Sequence, residues 1–165
     1  LATEVINSFE KKYEEKWIEM MRYKLGLSFF EEKDKFLIID LLTWMHQKKA
    51  DYTNTFCYLM NEEIQNDKIY EDREFEIWKK RWEERLKKQS NTKEKYIDLM
   101  KKNNPIVVPR NHKVEEALSA AEKNDLKPFF KLLEILKEPY NSKKEIKDYQ
   151  TSSSSSEKYQ TFCGT

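Results

Sequence analysis

Glycine occurs twice in 165 residues, at Gly26 and Gly164, and proline four times. Average usage would supply about 7% glycine, roughly a dozen in a chain of this length. A chain so poor in turn-forming residues, and rich in Lys and Glu, favours long helices with solvated charged faces. The same shortage excludes several chemistries. A phosphate-cradling loop needs clustered glycines so that backbone amides can approach the anion. Gly26 stands alone and Gly164 is the second-last residue, so no Walker loop, dinucleotide fingerprint or kinase-type Gly-rich loop can be written. The two His and two Cys, at positions 46, 57, 112 and 163, match no short metal-ligand pair such as Cys-x-x-Cys.

Apolar residues recur at steps of three and four and predict an all-α domain of six to seven helices. The first runs to about Leu25, with Phe9, Tyr13, Trp17 and Met20/Met21 as its apolar stripe and Gly26 as its stop. A second spans about 30–48 with Leu37, Ile38, Leu41, Leu42 and Met45 on one face. Ser28 is its predicted N-cap, with Glu31 at capping-box spacing. A short third helix over 51–61 starts at Asp51 or Thr53 and carries Tyr52, Phe56, Leu59 and Met60. Segment 71–88 is the clearest amphipathic helix, with Phe75, Trp78, Trp82 and Leu86 at 3-4-4 spacing. Its acids come first and its bases last, which suits the helix macrodipole. Helices over about 93–102, 112–123 and 126–137 follow. Pro105 ends the first of these, because proline disfavours helical geometry in the residue before it. In the last, Phe129, Phe130, Leu133 and Leu136 are the expected inner face. The domain is expected over residues 1–140. Residues 141–165 read as a flexible polar tail: Ser152 to Ser156 is a serine run, and such a stretch buries too little apolar area to offset its ordering entropy.

Charge narrows the partners. Lys+Arg 31 against Asp+Glu 30 gives a net charge of +1, so no electrostatic footprint for nucleic acid is expected. No apolar run reaches the 18 or more residues of a membrane span, and no secretory signal is seen, so the expected setting is a reducing cytoplasm. The chain lacks an initiating Met and reads as a piece of a longer protein. Trp17, Trp78 and Trp82 are expected in the core, since each continues an apolar stripe. The run Lys79-Lys80-Arg81 reads as a solvated face, since Glu76, Glu83 and Glu84 offset it. His46 and His112 have no carboxylate or serine at motif spacing. Cys57 lies on an apolar face beside Phe56 and reads as a small buried hydrophobe. Cys163, beyond the polar tail, reads as an exposed, redox-reactive thiol.

Three groups of residues, in order, carry a resemblance. The first is Phe9-x-x-x-Tyr13-x-x-x-Trp17 with Met21-Arg22-x-Lys24-Leu25-Gly26-Leu27. The second is Ala50-Asp51-Tyr52-Thr53-Asn54-Thr55-Phe56. The third is Asn104-Pro105, Pro109-Arg110-Asn111-His112, Glu116-Ala117 and Ala120-Ala121-Glu122. Pro139-Tyr140 and a closing cysteine complete the set. Together they resemble the C-terminal part of the selenoprotein O family of protein adenylyltransferases, from about Phe9 to Cys163. The resemblance implies a parent with a kinase-like core that binds ATP and a divalent metal, Mg or Mn. That parent transfers AMP to Ser, Thr or Tyr hydroxyls of target proteins. It implies that the nucleotide and metal sites lie upstream, so this piece has no cofactor, is inactive alone, and has the missing core as its partner. It also implies a redox-regulatory place for Cys163. Self-association through the face meant for the core is expected. The alternative is a free-standing helical protein–protein interaction module without catalysis.

Overall fold

The computed structural model describes residues 2–62, 64, 67–141 and 146–151. Among them there are eight α-helices and no strand: α1 (Ala2–Lys24), α2 (Asp34–Lys48), α3 (Tyr52–Leu59), α4 (Arg73–Lys87), α5 (Lys93–Asn103), α6 (Asn111–Glu122), α7 (Lys127–Leu136) and α8 (Lys147–Gln150), with a 3₁₀ segment at Asp67–Glu71 before α4. The all-α expectation holds. Helices α1, α2, α4 and α5 form the body, α2 lying against both α1 and α4, and α1 against α5. Helices α6 and α7 pack against each other as an antiparallel hairpin.

Four helices end in one geometry, and only one of them uses glycine. After α1, Gly26 takes φ +73°, its N–H bonds Tyr23 O at 3.1 Å, and Leu27 N bonds Arg22 O at 2.9 Å. This is the Schellman closure, in which one left-handed residue satisfies orphan carbonyls of the last turn. Lys49, Asn61 and Asn124 take φ of 54°, 59° and 63° and close α2, α3 and α6 with the same pair of bonds. Asn tolerates the left-handed region through its short polar side chain; Lys does so only at a steric cost. Gly26 is needed on a second ground. A Cβ there would stand 3.1 Å from Tyr96 O and 3.1 Å from Met100 Cγ, so it lets α1 and α5 meet.

The core is aromatic. Phe56, Tyr70, Phe75, Trp78, Trp82 and Trp44 are buried, with Trp78 and Trp82 stacked at 6.1 Å and Trp44 and Phe75 tilted against each other at 4.6 Å. Each buried indole finds an acceptor: Trp44 Nε1 donates to Asp72 Oδ1 (2.9 Å), Trp78 Nε1 to Leu37 O (2.8 Å) and Trp82 Nε1 to Leu25 O (2.9 Å). Such partners let a large amphipathic ring be buried without a desolvation penalty. Asp51 caps α3 by accepting from Asn54 N, and Asp72 caps α4 by accepting from Glu74 N and Phe75 N.

Four expectations are corrected. The stripe of α1 does not continue inward along the whole helix: Phe9 and Tyr13 are 68% and 62% exposed, and Trp17 is half-buried. Among the described residues of α1 and its cap, the buried apolar side chains are Met21, Leu25 and Leu27, all at its C-terminal end. Ser28 does not cap α2, which begins at Asp34. Its N–H and Oγ both bond Gln89 Oε1, and Glu31 N–H donates instead to the buried carboxylate of Asp34. The inner face of α7 is Leu132 and Ile135, whereas Phe129, Phe130 and Leu133 are exposed. Lastly, the polar tail is not featureless from 141: residues 146–151 contain α8 and bury Ile146 and Gln150.

Candidate functional site

The three motif groups meet in space around the end of α1. Lys24, from the first group, donates to Asn104 Oδ1 (3.0 Å) and Asn103 O (3.1 Å), while Asn104 Nδ2 returns a bond to Lys24 O (2.9 Å). The Lys24 ammonium also lies 4.9 Å from the ring centre of Phe56 and 5.5 Å from that of Tyr52, both in the second group. Burial holds its pKa below the ordinary lysine value. Asp51, in the second group, accepts from Arg110 in the third through two bonds, at 2.6 and 2.9 Å. Thr55 Oγ1 donates to Asp51 O at 2.7 Å. Planar two-point pairing of this kind fixes orientation as well as distance. The most specific string in the sequence therefore caps α3 and ties it to the start of α6. Its polar side chains are accounted for by these contacts without a substrate.

A second buried charge cluster joins α1, α2 and α4. Asp34, with no exposed side-chain surface, accepts from Arg85 Nε at 2.7 Å and Nη2 at 3.2 Å, and Arg22 Nε stands 3.4 Å away. Arg85 lies over the Phe29 ring at 4.4 Å and donates to Phe29 O, and Lys88 pairs with Glu31 at 3.0 Å. The sequence signal for this cluster was available. Arg85 and Gln89 continue the stripe of Trp78 and Trp82 at helical spacing, and a charged or amide side chain on an apolar face needs a buried partner. Beside the cluster lies a cleft of about 320 Å³ lined by Glu31, Asp34, Phe36, Arg81, Arg85 and Lys88. Three of its cations are already paired, since Arg81 is 2.7 Å from Asp40.

The other candidates of the sequence fall as follows. Lys79 lies over the Tyr58 ring and Arg81 on Asp40, so the basic run serves surface pairs. His46 is exposed in the last turn of α2 and His112 is partly exposed at the start of α6. Cys57 is fully buried, and desolvation pushes its thiol up to about 12. A thiol held protonated in this way is not a nucleophile. Cys163 lies outside the described residues. Among the described residues no group of three His, Cys, Asp or Glu is placed to hold a metal ion, and no helix is long and apolar enough to cross a membrane.

One feature faces outward. Along α7 and its cap, Leu126, Phe129, Phe130 and Leu133 are exposed beside the buried Leu132 and Ile135. At 3.6 residues per turn these apolar positions cover roughly 220° of the helix, about twice the stripe that one packed face requires. Lys127, Lys131 and Glu134 occupy the rest. Leu118 on α6 is exposed as well. Helix α7 thus has one apolar face used and one uncovered.

Comparison with known proteins agrees with the motifs. The family model described as protein adenylyltransferase SelO matches residues 2–137. The chain is 51% identical to a protein nucleotidyltransferase YdiU of Pelagibacter ubique, 45% identical to that of Alcanivorax borkumensis and 42% identical to that of Nitrosococcus oceani. In each case all or nearly all of this chain is covered, but only 34% of the relative. The chain therefore spans about a third of the length of the curated relatives it matches. A family model that matches residues 2–137, together with relatives up to 51% identical over the whole of this chain, places the chain in the SelO family of protein adenylyltransferases.

Proposed function

We propose that this chain is the helical C-terminal portion of a protein nucleotidyltransferase, and that it buttresses the catalytic core of its parent through the uncovered face of α7. The observation that carries the reading is that face. Four large apolar residues stand exposed along a helix and its cap beside the face that is already packed, and exposed apolar patches of such kind mark interaction surfaces. Membership of the family and coverage of one third of the relatives' length support the core as the occupant.

In this reading the parent moves AMP from ATP, with Mg or Mn, to Ser, Thr or Tyr hydroxyls of target proteins. The triphosphate and metal are held by residues outside this chain. Stabilising the charge that develops on a transferring phosphoryl group takes convergent amides, cations or metal, and the buried Arg85 and half-buried Arg110 are already committed to Asp34 and Asp51. Cys163 is then a redox-regulatory thiol of the parent, which works in the cytoplasm.

The test is made in the full-length enzyme. Phe129→Ser, Phe130→Ser and Leu133→Ser together should detach this portion and reduce adenylyl transfer, while this chain carrying the same changes keeps its helices by circular dichroism. Unchanged transfer and unchanged domain docking in the triple variant would sink the buttress and favour a free-standing interaction module.

A further inference from the structure

Helix α1 has 23 residues, and its two halves differ. Trp17, Ile18 and Met21 pack on the core, whereas no described side chain ahead of Trp17 is buried. The outer half is nevertheless not a polar helix. Ile6, Phe9, Tyr13 and Met20 are 71%, 68%, 62% and 42% exposed. At 100° per residue these four fall within a sector roughly 60° wide, turned roughly 140° about the axis from Ile18, Met21 and Arg22. Glu14, on the other side, meets Lys35 of α2, so the sector points away from the body. The Phe9 and Tyr13 rings stack at 6.2 Å. With Ile6 and Met20 they keep the alternating 3-4 spacing of a helix-packing seam, interrupted once by Lys16, which pairs with Glu19 at 2.7 Å. Phe9 and Tyr13 open the first motif string, and this chain gives them no buried place.

We propose that the seam of Ile6, Phe9, Tyr13 and Met20 is a second docking surface, covered by the catalytic core of the parent. This rests on the reading of the chain as part of a longer nucleotidyltransferase, and not on the face of α7.

Area and tethering favour that occupant over a second copy. Two aromatic rings about two-thirds exposed, with Ile6 and Met20, offer roughly 500 Å². A stable interface between separate molecules takes about 800 Å² from each partner, so seam-to-seam pairing falls short. A partner in the same chain needs less, because the linkage itself supplies an effective concentration in the millimolar range. The relatives carry about twice this chain's length outside the matched region, enough for a domain-sized partner. The helix gains from being covered. Propensity alone barely holds a few unpacked turns in water, and helices in proteins owe most of their stability to a packed apolar face.

The experiment compares this chain with the full-length enzyme by hydrogen exchange read by mass spectrometry. Amides of 9–16 should exchange at least about tenfold more slowly in the full-length protein than in this chain. Phe9→Ser together with Tyr13→Ser should return them to the rate seen in this chain, with exchange in α4 unchanged. Should the double variant loosen α4 as well, Phe9→Ser alone is read in its place. Glu15→Ser, on the opposite side of α1, tests helix propensity without touching the seam and should leave the slowing intact. Equal exchange at 9–16 in the two proteins would overturn the seam, and the face of α7 would stand if α7 alone were slowed. Slowing in α1 with none in α7 would support the seam and remove α7 as a foothold. Loss of slowing in Glu15→Ser would overturn the assignment to this face. Slowing that appears only where the full-length protein dimerises would put a second copy on the seam and overturn the core as its occupant.

Discussion

Helices α4 and α7 both carry an amphipathic signal and meet opposite fates. In α4 the stripe of Phe75, Trp78, Trp82 and Leu86 is buried, and the charged Arg85 beside it is buried with Asp34. In α7 the row of Phe129, Phe130 and Leu133 faces outward, and a second, narrower face made by Leu132 and Ile135 is the one that packs. Periodicity shows that a helix has an apolar side. It does not show that something in the same chain covers it. What distinguishes the two in sequence is polar content on the stripe: a buried face recruits partners for its indole N–H groups and its arginine, whereas the open face of α7 is hydrocarbon alone.

The contrast is tested most severely by aromatic truncation. Trp78→Ala should cost on the order of 3–5 kcal/mol of stability in urea or thermal unfolding, from lost burial and the cavity left behind. Phe130→Ser should move the midpoint hardly at all in this chain. Equal losses at the two positions would show that α7 is covered. Next in size is Asp34→Ala, which takes the buried carboxylate from Arg22 and leaves Arg85 only the longer pair with Glu31 at 3.5 Å; breaking a buried pair on one side costs about 3 kcal/mol or more. A near-neutral result would mean water reaches the cluster.

Smaller effects come from the helix ends. Gly26→Ala meets both a left-handed φ and the contacts to Tyr96 and Met100, and should cost about 1–3 kcal/mol. Lys49→Gly, at the same position of the same closure, should instead stabilise by up to about 1 kcal/mol by relieving the left-handed strain. Opposite signs in parallel denaturation curves are the check.

The smallest effect is electrostatic and lies at the start of α4. Hydrogen bonds from Lys48 and then Trp44 hold the Asp72 carboxyl down at about 2, below its ordinary 3.8. A depressed carboxyl favours the fold when ionised. Its contribution is therefore complete above the unfolded value and is lost as pH falls from about 4 through about 2. Asp72→Asn keeps a capping oxygen and loses the charge, so the stability difference from the unmodified chain should be present at pH 6 and gone near pH 2. A difference independent of pH would mean the cap alone matters.

Much of this molecule was legible beforehand because helical signals are local. The bounds of α4, α5, α6 and α7 follow from stripes and breakers, and Asp51 announces α3 as a cap. The start of α2 was misread at Ser28 because the competitor for that serine, Gln89, is 61 residues away. The motif strings could be read as a family signature, but not as a hub. Nothing in their spacing shows that Lys24 meets Asn104 or that Asp51 meets Arg110. Helix α8 was invisible for a related reason: four residues carry no periodic signal, and the bonds that hold them come from positions 54, 106 and 110.

The sequence by itself determined that the chain is helical, where most helices begin and end, and which family it belongs to, since propensity, capping and motif identity are encoded within a few neighbouring residues. Tertiary structure alone decided which apolar faces are covered, which charges are buried in pairs, and that residues 146–151 dock. Each of those outcomes depends on free energies of contact between segments distant in the chain, and no local pattern carries the geometry that brings them together.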